Sequence, residues 1–223
     1  MKNLLVTGGA GFIGSHFVKH MLKNYDYNVV NLDALTYSGN LDNLRDVEEN
    51  PKYKFIKGNI CDMELVDDVV RKFEIDAIVN FAAETHVVRS ILEPGSFIQT
   101  DVYGIYVLLE VAKKHELERV VAVSTDEIYG SVEEGTSVET DNYAPNSPYS
   151  ASKAGGEMIA RAYYTTYGIP VIITRGSNNI GPNQYPEKVV PLFITNALED
   201  RPLPIYGTGL NVRDYIYVTD HCA

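Results

Sequence analysis

The sequence has little cysteine, no apolar run long enough to cross a membrane, and a shortage of positive charge. Its two cysteines, Cys61 and Cys222, lie far apart without metal-ligand spacing, so we expect reduced thiols and no metal site. With 19 basic and 30 acidic residues the formal net charge is −11, which argues against nucleic acid or an anionic membrane as a partner. The N-terminus, MKNLLVTGG, lacks the longer apolar core of a signal peptide, and we expect a cytoplasmic protein.

The pattern of apolar residues is that of an α/β protein. Short runs rich in Val and Ile alternate with longer segments in which apolar residues recur at three and four, so we predict a doubly wound parallel sheet, Rossmann-like, with strands buried on both faces. The predicted strands are NLLVTG, YNVVNLD, YKFIKG, DAIVNFA, RVVAVST and PVIITR. The predicted helices are FIGSHFVKHMLKNY, MELVDDVVRKFE, IQTDVYGIYVLLEVAKKH and SPYSASKAGGEMIARAYYTTYG. After residue 175 the alternation gives way to GSNNIGPNQYPEK, where we expect a smaller unit, 176–223, to begin.

A glycine-rich turn follows the first predicted strand. In VTGGAGFIGS, Gly9, Gly11 and Gly14 have the G-x-G-x-x-G spacing, and Gly8 adds a further glycine. Such glycines allow a sharp turn and a close approach to a pyrophosphate at the helix N-terminus. Asp33 closes the second strand at the distance expected for a ribose-binding carboxylate, and ALT rather than Arg follows it. We therefore predict that residues 1–175 form a domain that binds NAD rather than NADP.

Two further motifs carry chemistry. In STDEIYG, Thr125, Asp126 and Glu127 stand at the end of a strand, where adjacent carboxylates are either a solvated turn or an acid and a base held against one substrate. In YSASK, Tyr149 and Lys153 are four apart on one helix face. A Tyr hydroxyl, with an ordinary pKa of about 10, needs a neighbouring cation such as this ammonium to act as a base.

Together these motifs resemble the extended short-chain dehydrogenase/reductase family, and within it the dTDP-glucose 4,6-dehydratases. The resemblance runs along the whole chain, in TYSGN, AAETHVVRS, STDEIYG, PYSASKA, SNNIGP, PEKVVP and RDYIYVTDH. Members of that group are longer. The last residues also place Thr219 or Asp220 as a helix N-cap with almost nothing after it, so we expect a fragment of a longer chain.

The resemblance implies a mechanism in which Asp126 and Glu127 eliminate water. Tyr149, assisted by Lys153, takes the proton of the sugar 4-hydroxyl while hydride passes to NAD. Thr125 and Tyr149 then hydrogen-bond the 4-ketone, Glu127 removes the proton from carbon 5, and Asp126 protonates the departing 6-hydroxyl. The hydride returns to carbon 6. Mutual repulsion is expected to keep one carboxyl of the pair protonated.

The motifs and the resemblance also assign the binding residues. The cofactor-binding residues are Gly8, Gly11, Phe12, Ile13, Gly14, Asp33, Ala34, Leu35, Thr36, Asn59, Ile60, Phe81, Ala82, Ala83, Glu84, Thr85, Thr100, Tyr149, Lys153 and Asn179. The substrate-binding residues are Thr85, Thr125, Asn178, Lys188, Val189, Pro204, Ile205, Tyr206 and Arg213. No metal ligand is assigned.

The chain departs from the family pattern at a few positions. Val88 and Asn59 stand where the family usually has Asp, Ile180 replaces a commoner Tyr, and Asp101 stands where many relatives carry Asn. We expect little loss from Asn59, whereas Val88 deletes a charge beside Arg89 and is expected to loosen the nearby loop.

Other functions remain open at this point. A nucleotide-sugar 4-epimerase or a UDP-glucuronate decarboxylase of the same superfamily typically lacks Asp126, and an inactive NAD-binding fragment is a further alternative. A homodimer is expected by family analogy, because the helices DVYGIYVLLEVAKKH and SPYSASKAGGEMIARAYYTTYG carry apolar or small residues on more than one face.

Overall fold

A computed structural model describes residues 2–223 as a parallel sheet covered by helices on both faces. The strands of the main sheet are β1 (Lys2–Thr7), β2 (Tyr27–Asp33), β3 (Tyr53–Lys57), β4 (Ala77–Asn80), β5 (Arg119–Thr125) and β6 (Val171–Gly176). They pair in the order β3-β2-β1-β4-β5-β6, every pair parallel. The direction of winding therefore reverses between β1 and β4, which confirms the predicted doubly wound α/β fold.

The helices are α1 (Phe12–Asn24), α2 (Met63–Lys72), α3 (Val87–Leu92), α4 (Pro94–Phe97), α5 (Ile105–Lys114), α6 (Pro148–Tyr167), α7 (Val189–Leu198) and α8 (Val218–Cys222). Those that form at the predicted segments are α1, α2, α5 and α6, whereas α3, α4 and α7 were not predicted. A π-helical segment, Ile98–Gly104, joins α4 to α5, and 3-10 turns form at Leu41–Leu44 and Asp126–Tyr129. Helix α6 begins where its sequence predicts, because Ser147 and Ser150 form a reciprocal capping box and Pro148 occupies the first turn.

Two apolar cores lie on opposite faces of the sheet. One contains Leu5 and Ile78 with residues of α2 and α5, and the other contains Val6 and Val79 with Val18 of α1. The prediction that every strand is buried on both faces is wrong for the two edge strands, β3 and β6. In β3 Lys54 and Lys57 are exposed, and in β6 Ile172 is 43% exposed. The reason is their position, since none of residues 2–223 forms a strand beyond β3 or beyond β6 in this sheet.

The chain after residue 176 forms a small parallel pair, β7 (Asn178–Ile180) and β8 (Tyr215–Tyr217). Helix α8 follows β8 directly and begins at Val218, so the predicted N-cap at Thr219 or Asp220 is wrong. The observed N-cap is Tyr217, two residues before Thr219, and the side chain of Val218 is fully buried close to Gly181. The domain boundary at 175/176 stays a prediction. Within residues 2–223, the helices are too short or too polar to cross a bilayer.

Candidate active site

A cavity of about 420 Å³ opens at the carboxyl ends of the parallel strands. Its lining includes Gly8 after β1, Asp33 at the end of β2, Phe81 after β4, Thr125 at the end of β5 and Gly176 at the end of β6. The cavity thus lies across the point where the strand order reverses, which is where open α/β sheets bind their ligands.

The glycine turn is closely packed against the first strands. Gly8 has φ +70, and a Cβ placed on it would lie 2.5 Å from the backbone nitrogen of Ala82. A Cβ on Gly14 would lie 2.3 Å from the carbonyl oxygen of Gly8. The backbone N–H of Ala10 donates to Asp33 Oδ2 over 2.9 Å, which joins this turn to the end of β2. The turn therefore needs glycine for its own geometry, and it brings backbone and helix N-terminus to the cavity.

Replacing Gly14 with Ala is expected to weaken dinucleotide binding and to lower the free energy of unfolding by about 1–3 kcal/mol, because the new methyl group collides with backbone. Gly95→Ala is the matched control, since nothing lies within 4 Å of a Cβ at that position. Urea unfolding and calorimetric titration with NAD measure the two effects. Equal stability and NAD affinity in the two variants would contradict the packing argument.

Tyr149 and Lys153 lie side by side in the interior of the cavity. The Lys153 ammonium donates to the carbonyl oxygen of Val123 over 2.8 Å, which ties α6 to β5. Burial lowers the pKa of Lys153, and the charges of Asp101 and Glu157 partly oppose that effect. Burial raises the pKa of Tyr149, and the charges of Glu127 and Asp101 raise it further. Burial and these two carboxylate charges disfavour the phenolate, so the positive charges expected to favour it, those of Lys153 and of a bound nicotinamide, would act against them.

The carboxylate pair lies in the cavity wall, half-buried, and not in a solvated turn. Thr125 caps the 3-10 turn that carries both groups, since Glu127 N–H donates to Thr125 Oγ1 over 3.2 Å. Burial raises the pKa of Asp126 and of Glu127. For Glu127 the positive charge of Lys188 opposes this rise, and the charge of Asp126 adds to it. The charge of Asp126 thus favours the protonated form of Glu127, as expected for adjacent carboxyl groups.

Asp101 lies in the π-helical segment and links two walls of the cavity. Its Oδ1 accepts from the backbone N–H of Glu84 over 3.0 Å, and its Oδ2 accepts from Ser152 Oγ over 2.7 Å. The residue is 2% exposed. Burial raises its pKa from 3.8 to about 6, although the charge of Lys153 acts against the shift. At neutral pH, a neutral side chain at this position would therefore cost less folding free energy than the ionised carboxylate of Asp101.

Asp101→Asn is expected to raise the free energy of unfolding at pH 8 by roughly 3 kcal/mol, at about 1.4 kcal/mol per pKa unit. Because the pKa of Asp101 is higher in the folded protein than in the unfolded chain, the protonated form stabilises the fold. This contribution to the free energy of unfolding is fully present below pH 3.8 and is lost as the pH rises through about 6. Urea unfolding at pH 4.5, 6 and 8 measures the difference. The exposed Asp42→Asn is the control, and a difference independent of pH would contradict the assignment.

The outer wall of the cavity is built around Glu187, which the sequence analysis missed. Tyr37 Oη donates to Glu187 Oε1 over 3.0 Å, and His86 Nε2 lies 3.7 Å from Oε2. The guanidinium of Arg89 lies 4.1 Å from the centroid of the Tyr37 ring. Val88, which stands where the family pattern has Asp, is half-exposed on α3 and offers Arg89 no carboxylate. The guanidinium of Arg89 stacks on the Tyr37 ring instead.

Most of the predicted residues meet in this one cavity. The exceptions among the predicted cofactor-binding and substrate-binding residues are Leu35, Pro204, Ile205 and Tyr206. Leu35 packs against the core beside α1, whereas Ile205 and Tyr206 are 68% and 76% exposed. The lining also contains residues that the sequence analysis did not assign, namely Leu32, Ser38, Gly39, Gly58, Val123, Ser124, Gly176, Ser177, Ile180, Gln184, Tyr185, Glu187, Val190, Tyr215 and His221. Gly58, Ser124 and Gly176 stand at strand ends and could have been inferred, but Tyr215 and His221 carry no local signal.

Known proteins share both this sequence and this fold. A family model described as GDP-mannose 4,6 dehydratase matches residues 5–223. A dTDP-glucose 4,6-dehydratase of Streptomyces niveus is 51% identical over 98% of this chain and 66% of that protein. The chain belongs to the dTDP-glucose 4,6-dehydratase family. A low-salt glycan biosynthesis protein, Agl12, of Haloferax volcanii is 50% identical over 99% of this chain and 71% of its own length.

Solved dTDP-glucose 4,6-dehydratases superpose closely on the chain. The enzyme of Bacillus anthracis, in complex with NAD, has a TM-score of 0.93 at 54% identity and matches 100% of this chain and 69% of its own. DesIV of Streptomyces venezuelae, with NAD and TYD bound, has a TM-score of 0.96 at 50% identity and matches 99% and 69%. A UDP-glucose 4-epimerase of Thermotoga maritima has a TM-score of 0.91 at 34% identity, over 99% of this chain and 71% of its own. The chain thus spans about two thirds of the length of its dehydratase relatives.

Proposed function

We propose that this chain carries the active site of an NAD-dependent lyase that dehydrates dTDP-glucose to dTDP-4-keto-6-deoxyglucose. The observation that carries the proposal is the placement of Asp126 and Glu127 in the same cavity wall as Thr125, with Tyr149 and Lys153 beside them. An acid and a base on one edge of a sugar are what elimination across two adjacent carbons requires.

The residues present fit NAD. The glycine turn and the start of α1 line the cavity, where a helix N-terminus can meet a pyrophosphate. Asp33 retains acceptor capacity for ribose hydroxyls beyond the two backbone N–H groups that it binds. At the other end of the cavity, which Asn179 lines, Asn179 Oδ1 is buried without a hydrogen-bond partner among residues 2–223. Bound NAD would supply reversible hydride acceptance, from carbon 4 of the sugar and back to carbon 6.

Each side chain then has a distinct role. Tyr149 takes the proton of the 4-hydroxyl, and Lys153, bonded to β5, provides the nearby positive charge. Thr125 and Tyr149 hydrogen-bond the resulting carbonyl oxygen, which acidifies carbon 5. Glu127 removes the carbon 5 proton and Asp126 donates a proton to the 6-hydroxyl, consistent with burial raising the pKa of Asp126. Lys188 and Arg213, which also line the cavity, provide positive charge for a diphosphate.

The predicted substrate-binding residues lie only partly in the cavity. Thr85, Asn178, Lys188, Val189 and Arg213 lie in the cavity, whereas Pro204, Ile205 and Tyr206 do not. We therefore propose that residues 1–175 bind the cofactor and carry the chemistry, and that 176–223 are part of the substrate-binding region.

Mass spectrometry of dTDP-glucose incubated with the purified chain and NAD in heavy water tests the proposal. Dehydration predicts loss of one water and incorporation of solvent deuterium at carbon 5. The epimerase alternative predicts a product of unchanged mass that chromatography separates from dTDP-glucose, and a decarboxylase predicts loss of carbon dioxide from UDP-glucuronate instead. An unchanged sugar nucleotide with NAD bound to the chain would favour the inactive NAD-binding alternative.

We further propose a cytoplasmic homodimer. Apolar side chains are exposed on the π-helical segment and on α6, including Ile98, Met158, Tyr164 and Tyr167, each 46–60% exposed. Pairing of these helices between two subunits would bury them in a four-helix contact. Sedimentation equilibrium is expected to give a dimer that Met158→Glu dissociates, and a monomer for the unaltered chain would overturn this assignment.

Two cysteines that are not bonded to each other suit a reducing compartment.

A further inference from the structure

The amide of Asn179 is held in one orientation by its surroundings. Its Nδ2 donates to the carbonyl oxygen of Ser177 over 3.1 Å and lies 3.0 Å from His221 Nδ1. Because the Ser177 carbonyl only accepts, the amide nitrogen must face it, and the second N–H of the amide is directed to Nδ1. The imidazole therefore carries its proton on Nε2 and is neutral. Burial lowers the pKa of His221, which is consistent with a neutral ring.

This arrangement leaves Asn179 Oδ1 as an acceptor that the protein does not use. The atom is buried and has no hydrogen-bond partner among residues 2–223, although Asn179 lines the cavity. A buried acceptor without a donor is costly, so native proteins rarely retain one without a reason. A ligand that brings an N–H group to this point would satisfy it.

Asn179 lies at the catalytic end of the cavity. The His221 ring packs on Gly176, where a Cβ would lie 2.4 Å from His221 Cε1, and Gly176 pairs with Thr125 across β5 and β6. Asp33 ends β2, which is three strands from β5 and therefore about 14 Å away at the usual strand spacing. A dinucleotide whose adenosine ribose lies at Asp33 would extend its nicotinamide toward Asn179.

We propose that His221 is a positioning residue that orients the Asn179 amide, so that Oδ1 accepts a hydrogen bond from the carboxamide N–H of the nicotinamide. This inference rests on the proposed cofactor. It gives a function to a residue of α8 that is distant in sequence from the glycine turn and from the Tyr149 helix. Without the Nδ1 acceptor, the Ser177 carbonyl is the remaining partner of the amide nitrogen, so the amide turns more readily and presents its nitrogen to the ligand in part of the molecules.

Calorimetric titration of the unaltered chain and its variants with two ligands tests the inference without turnover. The ligands are NAD and ADP-ribose, which lacks the nicotinamide. In His221→Phe, NAD affinity is expected to fall about fivefold to tenfold, the loss of one neutral hydrogen bond, while ADP-ribose affinity is unchanged. His221→Gln, which offers an Oε1 acceptor, is expected to retain most of the NAD affinity. His20→Phe, on α1 and outside the cavity lining, is the matched control.

A third ligand makes the test independent of how well a variant folds. In 3-acetylpyridine adenine dinucleotide a methyl group replaces the amide nitrogen, so the unaltered chain is expected to prefer NAD about fivefold to tenfold, and His221→Phe to lose that preference. An equal fall for NAD and ADP-ribose, or no fall for either, would overturn the inference and leave the cofactor in place. An unaltered chain that binds neither NAD nor ADP-ribose would overturn the proposed cofactor, and the inference with it.

Discussion

Glu127→Gln is expected to lower the rate of water loss from dTDP-glucose by about a hundredfold to ten-thousandfold, the usual contribution of a positioned base. The amide cannot accept the proton of carbon 5, yet it matches the shape of the carboxylate. Burial, together with the Asp126 charge, raises the pKa of Glu127, so the ionised base is a stronger one than an exposed Glu. Mass spectrometry in heavy water reports both water loss and deuterium entry, and neither is expected in this variant.

Asp126→Asn is the matched variant because it removes the neighbouring carboxyl group alone. Loss of the 6-hydroxyl as water is expected to slow by a similar factor, since no acid protonates the leaving group. Proton removal by Glu127 remains, so dTDP-glucose recovered from this variant is expected to carry solvent deuterium at carbon 5. The contrast between the two variants separates the base from the acid. Deuterium exchange at carbon 5 in Glu127→Gln would show that Glu127 is not the base. Exchange that is absent in Asp126→Asn but present in Glu127→Gln would reverse the two assigned roles.

The parts of the site that the sequence predicted are those held by local rules. The glycine turn, the end of β2 at Asp33 and the capping of α6 each depend on a few neighbouring residues. Because all strands are parallel, their carboxyl ends meet at one edge of the sheet, which brings Asp33 and Thr125 to the same cavity.

The parts that the sequence did not predict depend on contacts between distant segments. Glu187 lines the cavity through its contact with Tyr37, which is 150 positions away in the chain. His221 reaches the cavity because Val218 and the rest of α8 pack near Gly181 and α1. The spacing of Tyr149 and Lys153 predicts that the two side chains are neighbours. It carries no information on burial or on the charges of Glu127 and Asp101, which raise the pKa of Tyr149. Pattern and spacing locate groups, whereas their electrostatics depend on the packed structure.

Arg175→Met is expected to lower the free energy of unfolding by about 3–5 kcal/mol, the usual cost of removing one partner of a buried ion pair. Arg175 of β6 donates from Nε and Nη2 to Glu157 Oε2 of α6, over 3.0 and 2.7 Å. The Glu157 side chain is 2% exposed, and its Oε1 already has no partner among residues 2–223. Loss of the guanidinium would leave this carboxylate in the interior with Tyr143 as its main donor.

The same guanidinium also donates to Tyr129 Oη over 2.6 Å, at the end of the 3-10 turn that begins with Asp126. The ion pair therefore joins β6, α6 and the carboxylate-bearing turn. Glu157→Gln is expected to cost less than Arg175→Met, because Arg175 is more exposed and keeps its bonds to Tyr129 and Tyr143. The double variant Arg175→Met with Glu157→Gln is expected to be more stable than Arg175→Met alone, since it leaves no buried charge. Urea unfolding of the four proteins measures the coupling, and strictly additive losses would show that the two side chains stabilise the fold independently.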